Sequence, residues 1–304
     1  MMKRVIVIGG ANVDIKGRVS GAFIGGTSNP GEVLVSVGGV GRNIAENLSR
    51  LGVAVSLFTV LGDDANGQLV RAATVAAGVD LSLTLTGPAA TGTYLVILDR
   101  RGEVQSAVND MHNIEWLRPQ HLDAVAAQLA ASDMLVADCN IDVSCLAWLC
   151  DFSARSGVRL LIEPVSVPKA KKLLKFERRS PVFAVTPNEQ QLVALTQEQD
   201  FCQGLASLRE LGFANVVMHR GAKGVVASSP AGQLEVQSFE AQEIADVTGA
   251  GDAAVAGLVA GLLEGLDLRR AVILGQAAAS MKLSSRQSVS GELSRDKIKN
   301  IAGF

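Results

Sequence analysis

Six short apolar runs recur along this chain, each of strand length and each ending on glycine, a turn residue or a polar side chain. They are "RVIVIGG" (4–10), "VSLFTVLG" (55–62), "DMLVADCN" (133–140), "VRLLIEP" (158–164), "VFAVTPN" (182–188) and "ANVVMHRG" (214–221). They are rich in Val, Ile and Leu and do not alternate with polar residues, the pattern of strands buried on both faces of a parallel sheet. Helical segments lie between them. "GRNIAENLSRLG" (41–52) sets Ile44, Leu48 and Leu51 on one face and closes at Gly52, and "ANGQLVRAATVAAG" (65–78) follows the second run. Strand–helix alternation of this kind predicts a mostly parallel sheet with helices on both faces. Aromatic residues are only 4% of the chain while Gly and Ala are abundant, which favours close helix-on-sheet packing over an aromatic-rich sandwich.

Two segments break the alternation. Residues 13–36 and 92–108 alternate apolar and polar, with a turn at Asp99–Gly102 in the second. Neither is long enough to fold alone. They predict a small sheet projecting from a single domain of 304 residues, placed to cover a site at the carboxyl ends of the parallel strands.

Charge and cysteine content exclude several classes. The net charge is −2, and the densest basic stretch, "KAKKLLKFERR" (169–179), reads as a solvated helix face, so no nucleic-acid partner is expected. No apolar run approaches the ~20 residues of a membrane span, and residues 1–10 lead into a strand without a signal-peptide pattern. Cys139, Cys145, Cys150 and Cys202 lack C-x-x-C spacing and read as thiols of a reducing cytoplasm. His112, His121 and His219 have no metal-ligand spacing, and no G-x-S-x-G occurs.

Three glycine-rich stretches remain. "IGGANVD" (8–14) lacks the G-x-G-x-x-G of dinucleotide folds; Asn12 and Asp14 stand just past a strand end, either in an Asx-type turn or as hydroxyl acceptors. "GGVGRN" (38–43) precedes a helix, either as its plain start or as a close-approach loop with the Asn43 amide available. "DVTGAGDAAVAG" (246–257) places Asp252 among residues with almost no side chain, between a predicted strand "QEIAD" (242–246) and a predicted helix from Gly251. Helix-start amides after Gly249 attract an anion, and a carboxylate beside them suits a phosphoryl transfer in which Asp252 takes the acceptor's proton. No Walker A motif occurs, which excludes a P-loop kinase.

Together these residues resemble the PfkB (ribokinase-like) family of sugar and nucleoside kinases, over essentially the whole chain. "GGVGRN" looks like its N-terminal motif and "DVTGAGDA" like its C-terminal one. The resemblance implies a ribokinase-like α/β fold with a β-sheet lid, an ATP donor with Mg²⁺, and an alcohol acceptor. It implies that Asp252 is the base and Gly249, Ala250 and Gly251 the anion hole. It puts Asn12, Asp14, Gly39 and Asn43 on the acceptor, with Lys16 reaching it from the lid. "TPNEQQL" carries Asn188 in the family's N-x-x-E motif, with Gln191 where the Glu stands. "HRGAKG", with His219, Gly221 and Gly224, matches the loop that cradles the ATP phosphates. The helix at 275–283, with Gln276, matches the wall of the adenine pocket. Asp246 and Thr248, with 283–288, match a monovalent-cation site, K⁺ in some members. Within the family, "GGANVDIKGRV" and "SNPG" look most like the bacterial pseudouridine kinases; ribose or another nucleoside is the alternative acceptor, and a non-catalytic nucleoside sensor the alternative class. A homodimer through the lid is expected from its open edges.

Overall fold

The computed structural model describes residues 3–178, 180–241 and 243–304. All six apolar runs are strands of one eight-stranded sheet. From one edge its order is Ala54–Phe58, Arg4–Ile8, Met134–Asp138, Arg159–Glu163, Val182–Val185, Phe213–His219, Val225–Ser229 and Gly232–Val236. The first six run parallel, and the last two form an antiparallel hairpin at the far edge. Period-2 geometry sends successive side chains to opposite faces. Val5 and Val7 therefore pack with Ile44, Leu48, Val255 and Val259, while Ile6 and Ile8 pack with Leu135, Leu146, Leu149 and Leu160. Both layers exclude water, which is why the strands read as unbroken apolar runs.

The helices that matter for the site are Val40–Arg50, Ala250–Leu263 and Leu268–Leu283. The last two pack backbone to backbone. A Cβ on Gly257 would lie 2.7 Å from Leu274 O, and one on Gly275 2.6 Å from Ala254 O. The small residues of this region thus let two helices approach closely.

The interrupting segments form a four-stranded sheet in the order Gly31–Gly38, Asn12–Val19, Gly92–Leu98, Val104–Asp110. The central pair is parallel and the outer pairs are antiparallel. The strand Asn12–Val19 continues almost directly from Arg4–Ile8, so the small sheet rises from the carboxyl end of the large one. Its hairpin turns at Asp99, whose carboxylate accepts from the amides of Arg101 (2.8 Å) and Glu103 (2.9 Å).

Two expectations are corrected. Residues 243–246 of "QEIAD" form no strand, and Gln242 lies outside the described residues. The amides of Ala245 and Asp246 bond instead to Leu283 O at the end of a helix, because the hairpin 225–236 already holds the sheet edge. The basic stretch 169–179 is not a solvated face throughout. Lys172 Nζ turns inward to the carbonyls of Cys139 (3.0 Å), Asn140 (3.1 Å) and Ile141 (2.8 Å), and Lys169 bonds to Asn140. A buried strand-end loop whose three carbonyls converge draws the lysine in; Arg179 lies outside the described residues.

Candidate functional site

Asp252 lies in the first turn of the helix Ala250–Leu263, at the carboxyl end of the sheet. The preceding residue, Gly249, is left-handed at φ 85°, and a Cβ there would fall 2.0 Å from Ser288 O, so the chain can turn into this helix only with glycine. The amide of Ala250 donates to Val247 O at 3.2 Å. It is therefore not free for an anion, a departure from the expected set. The next two amides, Gly251 and Asp252, have no intramolecular partner among the described residues, and a Cβ on Gly251 would meet nothing within 4 Å. Two unpaired N–H groups thus stand at the positive end of a fourteen-residue helix, with open space beside the Gly251 Cα.

The carboxylate beside them is 8% exposed. Burial pushes its pKa up to about 7; the hydrogen bond from Asn43 opposes that, the Asp138 and Asp14 charges add to it, and Arg42 pulls it down. Asn43 Nδ2 donates to Asp252 Oδ2 at 2.8 Å. Asn43 is itself held, since Arg42 Nη1 donates to its Oδ1 at 2.9 Å. Arg42 also pairs with Glu46, which bonds Arg50 Nη2 at 2.7 Å. The family pattern implied acceptor contact for Asn43, yet here it orients the acid.

Asp138, which the sequence reading did not single out, staples the loops together. Fully buried, its Oδ2 accepts from the amides of Gly10 and Gly41, both at 2.8 Å, and its Oδ1 from Asn140 N at 2.8 Å. This fixes "IGGANVD" against "GGVGRN". Gly39 sits at φ 97°, where a Cβ would fall 2.5 Å from Gly10 O, so there is no room for a side chain. Asn12 Nδ2 donates to Asp14 Oδ1 at 2.7 Å, and both residues are buried at the root of the small sheet. Burial raises the Asp14 pKa. Lys16 does not join them: its Nζ pairs with Asp246 Oδ2 at 3.0 Å.

Two further residues were missed, Asn140 and Glu163. Asn140 is 6% exposed, and its Oδ1 accepts from Lys169 Nζ. A Cβ on Gly10 would lie 2.8 Å from Asn140 Nδ2 and 2.9 Å from Met111 Cε, so these side chains border the Gly9–Gly10 turn. Glu163 ends the neighbouring strand. Its Oε2 accepts from Val165 N at 2.7 Å, and burial, then the Asp252 and Asp138 charges, raise its pKa. Val165 is left-handed at φ 68°, an outlying conformation for a β-branched residue that costs ~1–3 kcal/mol. The available signal was positional: Asp138, Asn140 and Glu163 all stand at the ends of predicted parallel strands, where ligands bind.

On the other side of Asp252 lie the residues expected for a nucleotide. Asn188 caps the helix Glu189–Thr196. Its Oδ1 accepts from Gln191 N (2.9 Å) while Gln191 Oε1 accepts from Asn188 N (2.8 Å). Gln191 therefore completes a capping box, work that Glu or Gln performs equally. His219 follows, joined to Asn188 by an isolated parallel β-bridge, with its Nε2 enclosed and unpartnered among the described residues; burial lowers its pKa to about 4, so the imidazole is neutral. Gly221 and Gly224 are left-handed in the turn after it. His219, Gln276, Gly275, Ala254 and Leu258 line a crevice too tight to admit even a water molecule, so a purine ring requires the walls to part.

Asp246 and Thr248 are engaged in hydrogen bonds within the protein. Asp246 Oδ1 accepts from Thr248 N at 2.8 Å, and the Asp246 carbonyl accepts from Lys282 Nζ at 2.6 Å. Among the described residues, no cluster of three or more His, Cys, Asp or Glu is placed to hold a metal ion. No helix among them is long and apolar enough to cross a membrane.

Residues 2–294 match the model of the pfkB family of carbohydrate kinases. The chain is 32% identical to the pseudouridine kinase of Escherichia coli, over 95% of its own length and 93% of the relative's. It is 27% identical to the ribokinase of Haemophilus influenzae, with 94% of each covered. A solved carbohydrate kinase from Agrobacterium tumefaciens superposes with a TM-score of 0.86 at 34% identity, covering 99% of this chain and 97% of that one. The fold is thus ribokinase-like, and the chain belongs to the pfkB family of carbohydrate kinases.

Proposed function

We propose that this kinase transfers the γ-phosphoryl group of ATP to the 5′-hydroxyl of pseudouridine, giving pseudouridine 5′-phosphate and ADP. The observation that carries the phosphotransfer is Asp252, held by Asn43 and brought to about 7 beside the two unpartnered amides of Gly251 and Asp252. Near neutral pH a large fraction of this carboxylate is ionised, and its proton affinity is far above that of an exposed aspartate. It accepts the hydroxyl proton as the oxygen bonds to the γ-phosphorus and the bond to the ADP oxygen breaks. The two amides stabilise the charge on the transferring group without reorganising. Asn188, His219, Gly221, Gly224 and Gln276 border the nucleotide.

Mg²⁺ fits this site as an ion carried by the ATP phosphates. Glu163 stands close enough to feel the Asp252 and Asp138 charges, and its Oε1 has no partner among the described residues. That supplies the single carboxylate reached through water that such an ion requires, and bound there it would neutralise charge on the phosphates.

The acceptor assignment is supported by the run 9–52 and by the E. coli relative. In this reading Asn12, Asp14 and Gly39 meet the ribose, and the Asn140 amide with Lys169 meets the donor and acceptor edge of the uracil ring. The small sheet closes over both and excludes water from the γ-phosphate. Its uncovered outer strands, with Val33, Leu34, Val35, Val104 and Val108 more than half exposed, support a homodimer through this sheet in the cytoplasm.

The ribokinase relative keeps ribose as the second reading. A panel of pseudouridine, uridine, adenosine and ribose, with coupled detection of ADP, separates them. Pseudouridine preferred by kcat/KM sustains the proposal, and ribose preferred replaces it. Nucleoside binding without ADP release would make the chain a sensor. Gln191 does not favour that outcome, because it caps the helix as Glu would.

A further inference from the structure

Lys282 is among the largest fully buried side chains of the protein, at 0% exposure, one residue before the end of the helix Leu268–Leu283. A buried ammonium is costly unless it is fully bonded. This one gives its protons to backbone oxygens: Asp246 O at 2.6 Å and Ser285 O at 3.1 Å. The nearby carboxylate of Asp246 is committed elsewhere, to Thr248 N at 2.8 Å and Lys16 Nζ at 3.0 Å. Burial lowers the Lys282 pKa, Asp246 raises it and the Lys16 charge lowers it further.

The two carbonyls belong to the segments that meet at Gly249. One, residues 246–248, leads into the helix start; the other, 285–288, ends with Ser288 O pressed against the Gly249 Cα. The ammonium therefore ties together the two walls behind the unpaired amides of Gly251 and Asp252. Carbonyl oxygens converging on one positive charge are the ligands that would also replace the hydration shell of K⁺. A mobile K⁺ does not fit beside the lysine, since two like charges would share the same oxygens.

We propose that Lys282 is a tethered substitute for a monovalent cation: a positioning residue that sets the anion hole and frees this kinase from K⁺. The inference rests on the reading of the Gly251–Asp252 amides as the phosphate site, and not on the identity of the acceptor. It separates this chain from the cation dependence that its motifs alone imply.

The test compares KCl, NH₄Cl and tetramethylammonium chloride at equal ionic strength, reading thermal melting and MgATP affinity without any acceptor. The native protein should show the same Tm and ATP Kd in all three salts. In Lys282→Ala and Lys282→Met, loss of the two charge-assisted bonds should weaken ATP roughly ten- to hundredfold in tetramethylammonium. KCl or NH₄Cl should restore much of that affinity, and should raise the variants' Tm while leaving the native Tm unmoved. A native protein that gains about tenfold in ATP affinity from K⁺ overturns the proposal, and this arm decides even where neither variant folds. So does a variant that binds ATP normally without either ion, or one that neither ion rescues, which would reduce Lys282 to packing. Should the native protein bind no ATP at all, the functional reading falls, and the melting comparison still judges Lys282.

Discussion

Replacing Asp252 by Asn should cost activity and return stability, and both effects follow from one feature. The carboxyl is nearly enclosed, and burial lifts it from 3.8 to about 7. In the unfolded chain the group ionises near its ordinary value, while in the folded chain it holds its proton until about 7. Ionisation between those values therefore favours unfolding, and the penalty is complete above pH 7. A rise of that size corresponds to about 4 kcal/mol. The amide in Asp252→Asn keeps an oxygen for Asn43 Nδ2 but adds a buried NH₂ without a partner, which costs ~1–3 kcal/mol. The variant should thus be more stable than the native protein by about 1–3 kcal/mol at pH 8, or several degrees at ~2 °C per kcal/mol. At pH 5 most of that advantage should vanish. Phosphotransfer should fall ~10²–10⁴-fold because no group remains to take the hydroxyl proton. Melting curves at pH 5 and pH 8, with coupled ADP assays at saturating ATP, measure both. Melting temperatures that differ equally at the two pH values would refute the raised carboxyl, and near-native turnover would refute its role as base.

Other residues give separate handles. kcat/KM of the native enzyme should rise with pH through an apparent value of about 7, as the free enzyme's Asp252 ionises. Asn43→Ala removes the hydrogen bond that favours the ionised form, so its pH profile should move to higher pH; an unmoved midpoint would mean that another group controls the rate. Gly249→Ala must place a Cβ at a left-handed position 2.0 Å from a carbonyl, and should lose at least ~1–3 kcal/mol by denaturant titration together with ATP binding. A double variant Val33→Asp, Val104→Asp should be monomeric by light scattering where the native protein is dimeric. A native protein that is already monomeric at tens of micromolar, ~10⁻⁵ M, would dismiss the interface, since a stable one binds more tightly than that.

Legibility in the sequence followed the range of the interactions. The strands were readable because double burial writes itself into each run separately: Val5 and Val7 satisfy one layer while Ile6 and Ile8 satisfy the other. The small sheet was readable because one-sided burial leaves alternation, although its strands reach Gly38 and Asp110, past the expected bounds. Asp252 was readable because a helix start with no side chains is a local pattern. "QEIAD" was misread for the opposite reason. It stands where strand–helix alternation calls for a strand, but its partner, Leu283 O, lies nearly forty residues away.

The sequence alone determined the layered α/β plan, the glycine loops at two strand ends and the single acid at a helix start, since each depends on neighbours within a few residues. Tertiary structure decided what those groups do. It brought Asn43 across 209 residues to hold Asp252. It used Asp138 to bind Gly10 and Gly41 together. It paired Lys16 with the carboxylate of Asp246, and brought the Lys282 ammonium to the backbone carbonyl of the same residue. A motif can specify a carboxylate or a glycine, but a pKa, a free amide or an occupied carbonyl cage is set by burial and by charges contributed from distant parts of the chain, and these exist only once it has folded.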